Sequence, residues 1–350
     1  MINRLDYIAA IEPFMDKPLV KILAGVRRCG KSTIFEMLKE EFLRRGISED
    51  HIISKRYTEM DIPENITAKQ MYDELLEAMK GKDHCYLLLD EIQEIDGWEK
   101  AVNSLLEGAD ADIYITGSNS KLMSSEISTY LTGRYVSIPV YTLSFKEYLD
   151  FKADSTLSRR ELLEEYIRFG GFPIIALSEY NEQNAYQIVN GIYHTVVSRD
   201  IVKRHRINKQ DLFDRVVKYI IENMGKTFSA NSISTFLKSE HRKVSVESIY
   251  NYLRWLEQAF IIYPCERYDL QGKSILKTQE KYYLSDVSLK YALLGYNRKM
   301  LDGAMENIVF LELKRRGYDV FIGKNDTKEI DFVAIRRDER IYVQVCVQIS

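Results

Sequence analysis

The chain has few cysteines. Four thiols, Cys29, Cys85, Cys265 and Cys346, are spread over 350 residues with no CxxC spacing. That excludes a disulfide framework and a structural zinc of the usual spacing, and predicts reduced thiols in a cytoplasmic setting. The five histidines are isolated; His84 beside Cys85 has no second pair nearby to complete a metal site. No apolar run approaches the roughly 20 residues of a membrane span, and the N-terminus lacks a charged-then-apolar leader. We therefore expect no membrane partner. One-sided charge is missing as well. A net charge of −3 does not by itself advertise nucleic acid, so any basic surface must be local. With 45% hydrophobic residues the composition is that of a globular protein, and the length suggests two or three domains.

What the sequence does have is Gly25-Val26-Arg27-Arg28-Cys29-Gly30-Lys31-Ser32-Thr33, a match to GxxxxGK[ST]. Gly25 and Gly30 let the backbone turn so that successive N–H groups face phosphate oxygens. Lys31 brings a point charge to the β- and γ-phosphates, and Ser32 a hydroxyl to Mg²⁺. The context is right. Residues 19–24 read as a short buried strand, and 34–45 carry apolar residues at helical spacing, ending near Gly46. The helix N-terminus adds its positive end to the phosphate cradle.

Further strands follow. Residues 51–60 are β-rich, and 66–80 read as a helix capped by Thr67. Tyr86-Leu87-Leu88-Leu89-Asp90-Glu91 is an apolar strand ending in two acids. A buried strand, expected to neighbour the first, would deliver Asp90 to the Mg²⁺ shell. Glu91 would polarise an attacking water. Residues 111–120 form another apolar strand that ends Gly117-Ser118-Asn119-Ser120. This turn either caps a helix over 121–131 or holds a γ-phosphate sensor, Ser118 or Asn119. Arg134, before a strand at 136–140, is a surface residue or the charge that stabilises the transition state, in cis or from a neighbouring subunit.

The order of these motifs, with Thr132-Gly133-Arg134-Tyr135 and Leu143-Ser144-Phe145-Lys146-Glu147-Tyr148-Leu149 after them, resembles an AAA+-type archaeal and bacterial ATPase family. Its members join this module to a C-terminal domain of nuclease-like fold. The resemblance covers essentially the whole chain. It implies ATP rather than GTP, no NKxD-type guanine motif being present. The expected fold is α/β: a P-loop AAA+-like parallel sheet over 1–142, a helical lid over 143–205, a winged helix over 206–290 and a nuclease-like α/β domain over 291–350. That last domain breaks off inside an apparent strand, so further C-terminal residues are expected.

Within the lid, Phe169-Gly170-Gly171-Phe172-Pro173 is a turn, and 202–209 is a basic run, solvated or in contact with phosphates. Residues 212–223, 229–237 and 245–258 have the rhythm of three helices, followed by strands at 260–267 and 279–284 around a wing. Between 201 and 280 there are 14 Lys and Arg against 9 Asp and Glu, a local basic bias. Ser245, Ser248, Asn251 and Tyr252 share one face of the third helix and could meet a groove, Tyr250 and Arg254 could reach its edge, and Lys273 and Lys277 lie in the wing as further candidate contacts. The partner is double-stranded DNA or a protein, and self-association is left open. The last segment, a helix then three strands, resembles the PD-(D/E)xK nucleases. Glu306 and Asp331 match two of the acids that would hold Mg²⁺, but Gln344 and Cys346 stand where the third acid and the lysine belong. The resemblance implies a nuclease fold without nuclease activity.

Overall fold

A computed structural model describes residues 3–59, 62–63, 65–119, 122, 130–269, 274–297, 301–325 and 328–346. It divides into two compact units, Met1–Val140 and Tyr141–Ser350.

In the first unit, a short helix α1 (Leu5–Ile11) precedes β1 (Val20–Ala24). Then come α2 (Lys31–Arg44), β2 (Ile52–Arg56), α3 (Ala68–Met79), β3 (Cys85–Asp90), α4 (Trp98–Gly108), β4 (Ala111–Gly117) and β5 (Tyr135–Pro139). The strands form one sheet in the order β2-β3-β4-β1-β5, and every pairing is parallel. Parallel pairing requires crossovers, and β1 and β3 are buried along their whole length, with Lys21 and Asp90 as their charged residues. Phe42 of α2 packs on Tyr86 of β3 with ring centroids 4.5 Å apart. Thr67 caps α3: its hydroxyl accepts from Gln70 N at 3.2 Å, while Gln70 Oε1 accepts from Thr67 N at 2.9 Å. The acid-bearing strand was expected to neighbour β1, but β4 lies between them. The helix expected at 121–131 falls largely outside the described residues.

The second unit begins with helices α5 (Phe145–Phe151), α6 (Arg159–Phe169), α7 (Pro173–Ala176) and α8 (Glu182–Thr195). The last runs on as a π-helical stretch, Val196–Lys203. The Gly170-Gly171 turn is sewn into this unit's core. Gly171 N donates to the buried carboxylate of Asp286 at 2.8 Å, and Leu143 N donates to Gly171 O at 2.7 Å. Gly170 has φ 75°, and a Cβ there would lie 1.8 Å from Asp286 Oδ1, so no other residue fits. The segment read as a lid thus belongs to the second unit.

Three more helices, α9 (Gln210–Glu222), α10 (Ala230–Ser239) and α11 (Val246–Gln258), lead into β6 (Ile262–Asp269) and β7 (Ser274–Leu284). Ser229 and Ser245 cap α10 and α11, accepting from Ser232 N and Ser248 N. After α12 (Ser288–Leu294) and α13 (Leu301–Arg315) come β8 (Asp319–Asn325), β9 (Lys328–Arg336) and β10 (Glu339–Val343). Both strand groups share one sheet, ordered β10-β9-β8-β6-β7, with β6 parallel to β8. A boundary at 290 would cut this sheet: the two strands expected to flank a wing carry the C-terminal strands on their edge. Asn307 of α13 is fully buried and locks the arrangement, its amide accepting from Leu284 N at 2.6 Å and donating to Leu284 O at 2.9 Å. The core beneath the sheet stacks Tyr283 on Phe310, centroids 4.5 Å apart. The final strand stops at Val343, short of the expected 341–347.

Candidate nucleotide site

The loop after β1 is shaped by two glycines and one strained residue. Gly25 follows the strand, and a Cβ on it would sit 2.0 Å from Val140 O. Gly30 takes φ 103° and Arg28 φ 66°, turning the chain into α2. Val26 and Cys29 are buried and anchor the loop from behind, and burial pushes the Cys29 thiol pKa up. Arg4, almost fully buried, donates to Cys29 O at 2.8 Å and so holds the loop from α1's side. Lys31 opens α2; its ammonium donates to Gly25 O at 2.9 Å and Val26 O at 3.2 Å. Ser32 is half-buried, while Arg28 and Thr33 are exposed.

At the same carboxyl edge of the sheet, Asp90 closes β3 and Glu91 turns away with φ 55°. Glu91 Oε1 is 3.8 Å from Lys31 Nζ, so the acid pair and the loop lysine meet despite the intervening strand. That strand supplies the connection. The Thr116 hydroxyl of β4 donates to Asp90 Oδ1 and accepts from Glu91 N at 3.0 Å. Arg56 Nε, from β2, donates to Asp90 Oδ2 at 2.9 Å. Gln93 donates to Glu91 Oε2, as does Ser118 Oγ at 3.2 Å. Gly117 makes room for this, since a Cβ would come within 2.3 Å of Gln93 Oε1. Burial alone would raise the Glu91 carboxyl pKa. The charges of Lys31 and Arg27, with the bonds from Gln93 and Ser118, outweigh it and leave the group below its ordinary value. An ionised carboxylate is the form a general base needs.

Of the two sensor candidates, Ser118 is the one bonded to Glu91; Asn119 is buried beside it, with its carbonyl accepting from Leu122 N. Arg134 lies elsewhere. Tyr135, the next residue, pairs with Val20 at the start of β1, so Arg134 sits at the amino edge of the sheet, a strand length of about 16 Å from the loop. Its guanidinium is held by Asn103 Oδ1 at 2.9 Å and Glu107 Oε1 at 2.6 Å of α4. A catalytic role in cis is corrected by this placement. Thr116, Arg56, Gln93 and Arg4 escaped the sequence reading. The one available signal was Thr116, a polar residue directly after the apolar run Ile113-Tyr114-Ile115 and still within the strand.

The donors present suit a magnesium nucleotide: one hydroxyl, an adjacent carboxylate pair, a lysine and a loop of turning backbone. Each Asp90 oxygen still has a lone pair for a metal-bound water after its bonds to Thr116 and Arg56.

In the second unit, the four residues of the nuclease-like reading are partly assembled. Gln344 Nε2 and Val345 N both donate to Asp331 Oδ2, each at 2.7 Å. Glu306 accepts from the Tyr283 hydroxyl at 3.1 Å, and burial pushes its pKa up. Lys281, nearly buried, lies 3.6 Å from Glu306 Oε2 and 2.6 Å from Glu329 Oε1. Cys346 is exposed. Among the described residues no group of three or more His, Cys, Asp or Glu is arranged to hold a metal ion.

Of the groove candidates, Ser245 and Arg254 are exposed, but Tyr252 is not. It is 7% exposed and packs edge-on against Phe213, so it is a core residue rather than a contact. Tyr250, 59% exposed, is the aromatic of that helix that faces solvent. Lys273 lies outside the described residues, as does the side chain of Lys277.

The parallel sheet and this edge of it define a P-loop nucleotide-binding protein of the AAA type. Comparison agrees: residues 17–149 match the family described as AAA domain, and residues 160–299 match a domain of unknown function, DUF8612. An "Uncharacterized protein" of Haemophilus influenzae is 37% identical over all of this chain and 88% of its own length. "Uncharacterized protein MJ1544" of Methanocaldococcus jannaschii is 32% identical over 95% of this chain and 75% of its own. The chain belongs to this family of AAA-domain proteins. Among solved structures, the Walker-type ATPase PABY2304 of Pyrococcus abyssi superposes with a TM-score of 0.60 at 13% identity, covering 84% of this chain and 96% of that one. That likeness speaks to the fold alone. No described helix is long and apolar enough to cross a membrane.

Proposed function

We propose that the protein binds and hydrolyses ATP with Mg²⁺, and that its nucleotide state controls a nucleic-acid-binding second unit. The observation that carries the first part is the meeting of Lys31 and Glu91 at 3.8 Å on the carboxyl edge of the sheet. Lys31, freed from the Gly25 and Val26 carbonyls, pairs with the β- and γ-phosphates. The loop N–H groups between Gly25 and Ser32 cradle the same phosphates. Ser32 and Asp90 would hold Mg²⁺, which would supply charge neutralisation to the phosphates. Glu91, kept ionised by its surroundings, takes a proton from the attacking water. Ser118 and Gln93 fix the Glu91 carboxylate, and Asn119 is left as a γ-phosphate sensor beside them.

The second unit is proposed as a binding module without nuclease activity. Gln344 contributes an amide where a metal would need a carboxylate, and Lys281 already sits between Glu306 and Glu329 as their shared cation. The basic bias of residues 201–280 favours nucleic acid over a nucleotide-gated scaffold that binds only protein.

The test is ATP turnover and ATP binding in two variants. Lys31→Ala loses binding. Glu91→Gln binds ATP as the parent does, and its kcat falls about 100-fold or more. Normal turnover by Glu91→Gln would remove the assigned base.

A further inference from the structure

Between the π-helical stretch and α9, the chain makes a turn that the ATPase reading does not use. Lys203, which ends the π-helical stretch, and Arg204, Arg206 and Lys209 after it are all exposed, and none has an ion-pair partner among the described residues. No acid lies between Ile201 and Gln210. Asp200 is buried, and Asp211 is engaged by Arg242. Four like charges left unneutralised in seven residues repel one another, which favours an anionic ligand.

The turn also encloses space. A cavity of about 210 Å³ separates it from α11, with His205, Arg206, Lys209, Ser248, Asn251 and Trp255 among its walls. The His205 and Trp255 rings stack at 4.3 Å, only 11° from parallel, giving an aromatic wall. Arg254 Nη2 donates to Asn251 Oδ1 at 2.7 Å, which occupies the carbonyl and leaves the amide N–H groups to donate. Two backbone irregularities build the turn. The helix before it is π-wound over Val196–Lys203, and Arg206 holds φ 49°, a costly conformation for a long side chain.

We propose that this pocket takes one unstacked base of a single-stranded nucleic acid. The base lies against the Trp255–His205 wall and meets Asn251 and Ser248 at its edge, while Arg206 and Lys209 hold the flanking phosphates. An acidic peptide would satisfy the cations but would leave the aromatic wall and the amide without work. Duplex DNA offers phosphates but keeps its bases stacked, out of reach of the cavity. The proposal rests on, and makes specific, the reading of the second unit as a nucleic-acid-binding half.

The experiment uses the full chain and a labelled short single-stranded oligonucleotide, followed by fluorescence anisotropy against salt. The duplex of the same sequence and a poly-glutamate peptide serve as competitors. The parent binds the single strand most tightly. Arg206→Gln with Lys209→Gln weakens it roughly tenfold or more and flattens the salt slope by about 1.4, two phosphates' worth. Asn251→Leu, which keeps the side chain's shape and charge but removes its amide donors, weakens binding roughly tenfold and leaves the slope alone. All the substituted side chains are at least partly solvent-exposed, and an unchanged circular-dichroism spectrum and thermal melt of each preparation certify the fold of the second unit. Equal affinity in parent and variants, or duplex preferred to single strand, overturns the pocket while leaving the binding-half reading standing. Displacement by poly-glutamate as readily as by unlabelled strand replaces nucleic acid with an acidic protein. No nucleic-acid binding by the parent overturns both pocket and binding half, and leaves the ATPase reading to its own assay.

Discussion

Thr116→Val tests how the acid pair is held. The side chain is fully buried and valine keeps its shape, so packing changes little while the hydroxyl disappears. Two bonds go with it: the one Thr116 donates to the ionised Asp90, and the one it accepts from Glu91 N. A hydrogen bond to a charged group is worth about 1.5–3 kcal/mol, and a neutral one about 0.5–1.5 kcal/mol. The expected loss is therefore about 2–4 kcal/mol. For a unit of this length that lowers Tm by roughly 5–15 °C. Function suffers separately. Glu91 adopts a left-handed backbone, and the Thr116 bond is one of the contacts that keeps it there. Released, its carboxylate leaves the position that the proposed base role requires, and a displacement of the order of 1 Å costs about 100-fold in kcat. Thr116→Ser restores the hydroxyl and recovers most of the turnover. Calorimetry and steady-state ATP hydrolysis read the two effects. If the valine variant melts within a degree of the parent and turns over normally, Thr116 does not position the acids.

Gly25→Ala forces a methyl to within 2.0 Å of Val140 O. We expect a loss of about 3 kcal/mol or more by denaturant titration, together with loss of ATP affinity. Lys21→Met strands the carboxylate of Asp112, since both side chains of this ion pair are fully buried. The cost is about 3–5 kcal/mol. Adding Asp112→Asn recovers most of it, because the amide oxygen can still accept from Tyr114 and Asp16. Glu257, in α11, has its carboxyl raised from 4.5 to about 7 by burial and by the charge of Glu280. The folded form thus binds a proton more tightly than the unfolded one, and the second unit loses stability as pH rises from about 4.5 to 7. Glu257→Gln flattens that slope, which thermal melts across the range will show.

The phosphate loop was legible because its geometry is local. Glycines at two positions and a lysine at the helix start dictate a turn whatever the rest of the chain does, and Lys31 and Ser32 stand where the motif puts them. The acid-bearing strand was legible for a similar reason: four apolar residues ahead of two acids leave few alternatives for Asp90 and Glu91. The Thr67 cap was equally readable, bonding the backbone within its own first turn; Ser245, read as a groove contact, caps its helix by accepting from Ser248 N. Arg134 and Tyr252 misled for opposite reasons. An arginine carries no mark of which end of a strand it occupies, and a tyrosine on a helix is polar or core according to what packs over it.

The sequence by itself determined the nucleotide loop, the acid pair, the identities of most helices and strands, and the near-neutral charge with its one basic stretch. All of these follow from interactions within a few residues. Tertiary structure alone decided that β4 separates β1 from β3 and that Thr116 and Arg56 reach Asp90 from two strands. It also decided that β6 and β7 share a sheet with β8 to β10, and that a basic turn closes a pocket against α11. Strand order and cross-chain contact depend on which buried surfaces match in shape, a property of residues far apart in the chain that no local pattern encodes.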